Sequence, residues 1–84
     1  MVSKKFVVRH DGGMDANHAA QLVRLANQYD CNVHVEFGQK RADGKSIMNM
    51  LALGARTGDE IVIIANGPDE EYALNALEEY LDRQ

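Results

Sequence analysis

Apolar positions recur along the chain with two different periods, and the switches between them predict the elements. Phe6, Val7 and Val8 form an aromatic and β-branched run that ends at Asp11-Gly12-Gly13, so a first strand is expected there. From Asp15 the period changes: Ala19, Leu22, Val23 and Ala26 follow i, i+3, i+4, i+7, which places one buried stripe on a helix. Asn17, Gln21, Arg24 and Gln28 fall on its polar face. Asp15 is placed to cap this helix, because its carboxylate accepts from unpaired first-turn amides at the positive end of the dipole. The pattern lasts to the neighbourhood of Tyr29-Asp30.

Val33, Val35 and Phe37 then alternate with His34 and Glu36, the signature of a half-buried strand. Phe37-Gly38-Gln39-Lys40 reads as a hairpin turn into a short strand around Lys40–Ala42, closed by Asp43-Gly44. Ser46 opens a short second helix that runs through Leu53 and stops at Gly54, with Asn49 imitating a capping box. After the Thr57-Gly58-Asp59 turn, Glu60 to Asn66 is nearly continuously apolar, which predicts an interior strand. Gly67-Pro68-Asp69-Glu70-Glu71 is a helix start with Asp69 as N-cap, and Ala73, Leu74, Leu77 and Leu81 give the last helix its buried stripe, with Ala76 and Tyr80 beside it. The order β-α-β-β-α-β-α, with one hairpin and helices elsewhere, predicts a single α+β domain over residues 1–84. Its expected architecture is one mostly antiparallel four-stranded sheet, three helices on one face and a solvated face opposite.

Size and composition narrow the function. A chain of 84 residues buries only roughly 60–65% of its unfolded surface, which leaves no room for a deep cleft and puts function on the outside. The longest apolar run, Ile61 to Ala65, is too short to span a bilayer, and the opening Met1-Val2-Ser3-Lys4-Lys5 lacks a signal-peptide core, so a cytoplasmic protein without membrane attachment is expected. Cys31 has no partner for a disulfide or a zinc motif, which suits a reducing compartment. Net charge is −4, and residues 69–84 hold six acids against Arg83 alone. Without a basic stripe, direct nucleic-acid binding is not expected.

Two segments resemble the HPr phosphocarrier proteins of the bacterial sugar phosphotransferase system. One is Lys45-Ser46-Ile47-Met48-Asn49-Met50-Leu51-Ala52-Leu53 with Gly58 in the following turn; the other runs from Ile61 through Gly67-Pro68-Asp69-Glu70-Glu71 to Glu78. Together they extend the resemblance over essentially the whole chain, and it implies the open-faced β-sandwich of that family. The family's carrier motif, Gly-Leu/Ile-His-Ala-Arg-Pro-Ala, stands here as Gly13-Met14-Asp15-Ala16-Asn17-His18-Ala19. By that resemblance Asp15 replaces the phosphoryl-accepting histidine, Asn17 the assisting arginine and His18 the proline. A neutral imidazole at a helix N-terminus is a nucleophile whose phosphorylated form is held by amides and a guanidinium. A carboxylate without a divalent cation accepts phosphate poorly, and Asn17 brings no charge to neutralise it.

The chain therefore resembles the histidine-lacking, Crh-like branch of the family, and the resemblance implies phosphorylation of Ser46 by HPr kinase/phosphorylase and docking on a catabolite-control repressor. Chemistry permits such a switch, since phosphate at a helix N-terminus adds charge where amides favour it. Ile47, Met48, Met50, Leu51 and Leu53 are too many apolar residues for one face of a two-turn helix. With Met50 and Leu53 inward, Ile47, Met48 and Leu51 form an outward docking patch, to which Lys45 and Arg24 add charge. Ser46 has an adequate role as a plain N-cap, and Asp15 has three readings: a cap, a permanent mimic of the phosphorylated carrier, or an acyl-phosphate acceptor. Two other functions remain open: a carrier taking phosphate from enzyme I on Asp15 or His18, and an unmodified interaction module. His10, Asp11, Asp15 and His18 match no metal-ligand spacing and read as solvated surface groups, so neither a metal nor a cofactor is expected. No paired nucleophile and base is visible, and catalysis is not expected.

Overall fold

The computed structural model describes residues 1–83. Its elements follow the expected order: β1 (Val2–Val7), α1 (Ala16–Ala26), β2 (Asn32–Phe37), β3 (Lys40–Asp43), α2 (Ile47–Ala52), β4 (Glu60–Asn66) and α3 (Glu70–Asp82). The strands form one antiparallel sheet in the order β1-β4-β2-β3, so the apolar β4 is interior, as its composition requires. Register carries one apolar row across the sheet, with Val35 opposite both Ile63 and Ala42 on the face that the helices cover. On the other face Lys5, Val62, Glu36 and Arg41 stand side by side, which leaves that surface polar and open. Leu22, Val23 and Ala26 of α1 and Ala73, Leu74, Leu77 and Leu81 of α3 close the core above the sheet.

β1 begins at Val2, four residues before the expected start, because pairing with β4 continues to Val2 opposite Ala65. Lys4 lies on the helix side of that strand, and its ammonium pairs with Glu78 of α3. Val8 falls just beyond the strand, held by its N–H to the Asp59 carbonyl at 2.9 Å. The hairpin turns on Gly38 and Gln39 with positive φ at Gly38 alone, as a type II′ turn demands.

Helix ends differ from expectation where tertiary partners intervene. α1 stops at Ala26, and Gln28 and Tyr29 continue only as tight i→i−3 turns. Asp69 makes no side-chain cap; its Oδ2 accepts from Asp30 N at 2.7 Å, while Glu70 Oε1 reaches back to Gly67 N at 3.2 Å. Asn49 completes no capping box, since Ser46 N donates to the Asp43 carbonyl instead and the Asn49 amide meets Ser46 Oγ at 3.2 Å. α2 ends at Ala52 with Leu53 as its C-cap.

The loop from Val8 to Asp15 is fastened to the loop between α2 and β4. Met14 N donates to the Ala55 carbonyl at 3.0 Å, Gly58 N to the Val8 carbonyl at 2.7 Å, and Thr57 Oγ1 to the His10 carbonyl at 2.7 Å. Gly13 makes this approach possible: it has φ +66°, and a Cβ there would stand 2.7 Å from Arg56 Cα. Asp15 is thereby delivered to the start of α1 on a fixed loop.

Candidate functional site

The first region of interest is the N-terminus of α1. Asp15 is its N-cap, with Oδ1 accepting from His18 N at 2.9 Å and the Asp15 carbonyl accepting from Ala19 N at 2.9 Å. The carboxylate is exposed, as is Asn17. An aspartate in this position answers one of the unpaired amides of the first turn and opposes the positive end of the dipole.

His18 is not a surface group. Its side chain is 1% exposed, and neither ring nitrogen has a hydrogen-bond partner among the described residues. The ring lies against His10, centroids 4.5 Å apart, and against Tyr80 of α3 at 5.6 Å. Burial depresses its pKa, the neighbouring His10 depresses it further, and Asp15 opposes both. His10 is half-buried, with Nδ1 likewise unpartnered among the described residues. The expectation that these residues are solvated is thus corrected for both histidines, and His18 presents no nitrogen to an incoming phosphoryl group. The signal was in the sequence: His18 stands four residues before Leu22 and eight before Ala26, on the buried stripe. Tyr80 donates its hydroxyl to Gln21 Oε1 at 2.8 Å, and burial raises its pKa, with Asp15 adding to the effect.

The second region is α2. Ser46 is its half-buried N-cap, with Oγ accepting from Asn49 N at 3.3 Å. Met50 and Leu53 point into the core, whereas Ile47 is 42% and Met48 76% exposed. Leu51 lies between these cases, packed partly against the core, so the outward patch is narrower than expected. Beyond Met48 a groove of about 410 Å³ separates α2 from β3, lined by Lys40, Arg41, Met48, Asn49, Ala52 and Leu53. Arg24 is exposed on the last turn of α1. Lys45 is occupied: its ammonium donates to the Tyr29 carbonyl at 2.8 Å, closing the C-terminal end of α1, so its role is structural as well as electrostatic. Among the described residues no cluster of three or more His, Cys, Asp or Glu side chains is placed to hold a metal. No described helix is long and apolar enough to cross a membrane.

An open antiparallel sheet covered on one face by three helices, with one loop delivering an exposed N-cap to α1, defines a phosphocarrier-type fold. The chain matches the family described as PTS HPr component phosphorylation site over residues 2–83, and it belongs to that HPr family. It is 38% identical over 84 residues to the HPr-like protein Crh of Bacillus subtilis, covering 100% of this chain and 99% of Crh. The phosphocarrier protein HPr of Bacillus anthracis superposes with a TM-score of 0.90 at 36% identity, covering 95% of each chain. A crystal structure of B. subtilis Crh, described as a domain-swapped, intertwined dimer, matches with a TM-score of 0.79 at 38% identity over 99% of this chain and 95% of that one. The chain is accordingly a Crh-like member of the phosphotransferase-system HPr family, and its relatives are phosphocarrier or regulatory proteins.

Proposed function

We propose that this protein is a cytoplasmic, non-catalytic regulator of carbon catabolite control, acting as a single domain, whose Ser46 is phosphorylated by HPr kinase/phosphorylase and whose α2 surface then docks on a catabolite-control repressor. The observation that carries this reading is the adjacency of Ser46, as N-cap of α2, to the exposed Ile47 and Met48. In the modification Ser46 Oγ forms a bond to the γ-phosphorus of ATP as the bridging bond to ADP breaks, and the hydroxyl proton passes to a base of the kinase. The Asn49 N–H and side-chain amide that now meet Oγ at 3.3 and 3.2 Å become donors to the phosphate. A new dianion then sits beside two exposed apolar side chains, a combination that a partner can recognise by an Arg or Lys together with an apolar pocket.

Asp15 fits the same reading as a residue that supplies negative charge permanently and leaves α1 self-capped. His18 contributes nothing to carrier chemistry while its ring is enclosed. Intact mass after incubation with ATP and HPr kinase/phosphorylase, wild type beside Ser46→Ala, tests the proposal. One added phosphate on the wild type alone is expected. Absence of phosphate on both proteins overturns it, and label acquired from phosphoenolpyruvate and enzyme I would move the function to phosphotransfer through Asp15.

A further inference from the structure

The histidine pair under the start of α1 is not used in the function above, and it has an unusual environment. His18 is buried with both ring nitrogens unpartnered among the described residues, and His10 adds a third such nitrogen 4.5 Å away, centroid to centroid. Buried polar atoms are nearly always hydrogen-bonded, so a cluster of this kind in one place calls for a physical account. The titratable groups facing His18 are His10 and Asp15 from the loop between β1 and α1, and Tyr80 from α3. Of these only Asp15 favours a proton on the ring, and its Oδ1 is engaged by the His18 backbone N–H. The neutral ring is tolerated as an apolar plate, whereas an imidazolium would bring two charged donors into a buried site where neither ring nitrogen is hydrogen-bonded among the described residues.

We propose that His18 is an acid-sensitive latch on the N-terminal end of α1: the neutral ring is stored against His10 and Tyr80, and its protonation releases the first turn of the helix from the His10–Asp15 loop. The direction follows from linkage. Burial holds the ring's folded-state pKa below its ordinary 6.5, so the opened segment binds protons more readily than the closed one. The closed form has its full stability above that value, loses it as pH falls through about 6.5, and stops losing it only when the enclosed ring itself is protonated. The His18 N–H that caps onto Asp15 is also the amide that reports the opening.

Amide hydrogen exchange on the full chain, with the imidazole nitrogens followed by NMR across the same pH series, tests the proposal. Between about pH 7.5 and about pH 5.5 the protection of the His18 and Ala19 amides, corrected for intrinsic exchange, should fall about tenfold. His18→Leu keeps the ring's apolar volume without its proton site and should flatten that dependence. Wild-type protection that stays level, or a His18 ring titrating near 6.5 with protection unchanged, overturns the latch, as does an equal pH dependence in His18→Leu. The wild-type series decides by itself where the variant does not fold.

Discussion

Replacing Gly13 by alanine probes whether the loop that carries Asp15 is held by its contact with the loop between α2 and β4. Gly13 has φ +66°, and the added methyl would lie 2.7 Å from Arg56 Cα and 2.8 Å from the Ala55 carbonyl oxygen. Both neighbours are backbone, so relief requires the loops to part. The left-handed backbone alone costs an alanine about 1 kcal/mol. Forcing packed segments apart adds about 1–3 kcal/mol, for a total of about 2–4 kcal/mol. Gly54 is the control: its φ is +69°, and nothing lies within 4 Å of the added atom, so Gly54→Ala should cost only the backbone term of about 1 kcal/mol. For a domain of this size, the central difference of about 2 kcal/mol corresponds to a Tm gap of roughly 8–16 °C. Urea denaturation followed by circular dichroism measures both variants against wild type. Losses that are equal, or larger for Gly54→Ala, refute the claim that this contact fixes the loop.

Three further outcomes are expected. Met50→Ala should cost about 2–5 kcal/mol in urea denaturation, while Met48→Ala, at a solvent-facing position, should change stability by less than about 0.5 kcal/mol; the reverse order would sink the orientation assigned to α2. Lys45→Met removes the donor to the Tyr29 carbonyl and should lose about 1 kcal/mol, whereas Arg24→Met should lose little, and equal losses would show that the Lys45 bond contributes nothing. Burial pushes the Cys31 thiol up, and the neighbouring Asp69 carboxylate pushes it further, so the native protein holds less thiolate than the unfolded chain at any mildly alkaline pH. Iodoacetamide should therefore label Cys31 slowly until urea is added, and native labelling as fast as unfolded labelling would contradict its enclosure.

Element order and sheet architecture were legible because each segment keeps one period long enough to be read. β4 announced its interior position through five consecutive apolar residues, and α3 its buried face through Ala73, Leu74, Leu77 and Leu81. What misled was charge and polarity taken as a sign of solvent. Lys4 ended the expected strand too early, although a lysine on the covered face can run its stem along the sheet and pair with Glu78 at the rim. Asp69 looked like a cap, but a tertiary donor, Asp30 N, takes its carboxylate. His18 sits on the buried stripe in plain view, and its lack of a metal-ligand spacing says nothing about its exposure. At α2 the orientations of Met50, Leu53, Ile47 and Met48 were legible because the number of apolar residues exceeds one face; Leu51, at the boundary of that face, goes inward in part.

The three helix N-termini carry different charges, and the difference bears on where a phosphate is useful. α3 has Glu70 and Glu71 in its first turn. α1 has Asp15, whose Oδ1 already takes the His18 amide. At α3 a second anion would meet two carboxylates, and at α1 it would meet one and also find a donor occupied, so phosphate at either gains little from the dipole and suffers like-charge repulsion. α2 alone has a neutral cap and no acid in its first turn, and its cap oxygen is held by longer contacts of 3.3 and 3.2 Å. A phosphoryl group on Ser46 therefore meets less opposition than at either other terminus, and it changes the charge next to Ile47 and Met48 instead of adding to an anion already in place. On this argument Asp15 and Ser46 are complementary: the first settles the charge state of α1 permanently, which leaves the second as the position where charge can be switched. Ser46→Asp should then reproduce part of the phosphorylated state's partner binding, whereas Asp15→Asn should leave Ser46 phosphorylation by the kinase unchanged. A kinase reaction abolished by Asp15→Asn in a folded protein would show that the two termini are read together, and the division of roles would fail.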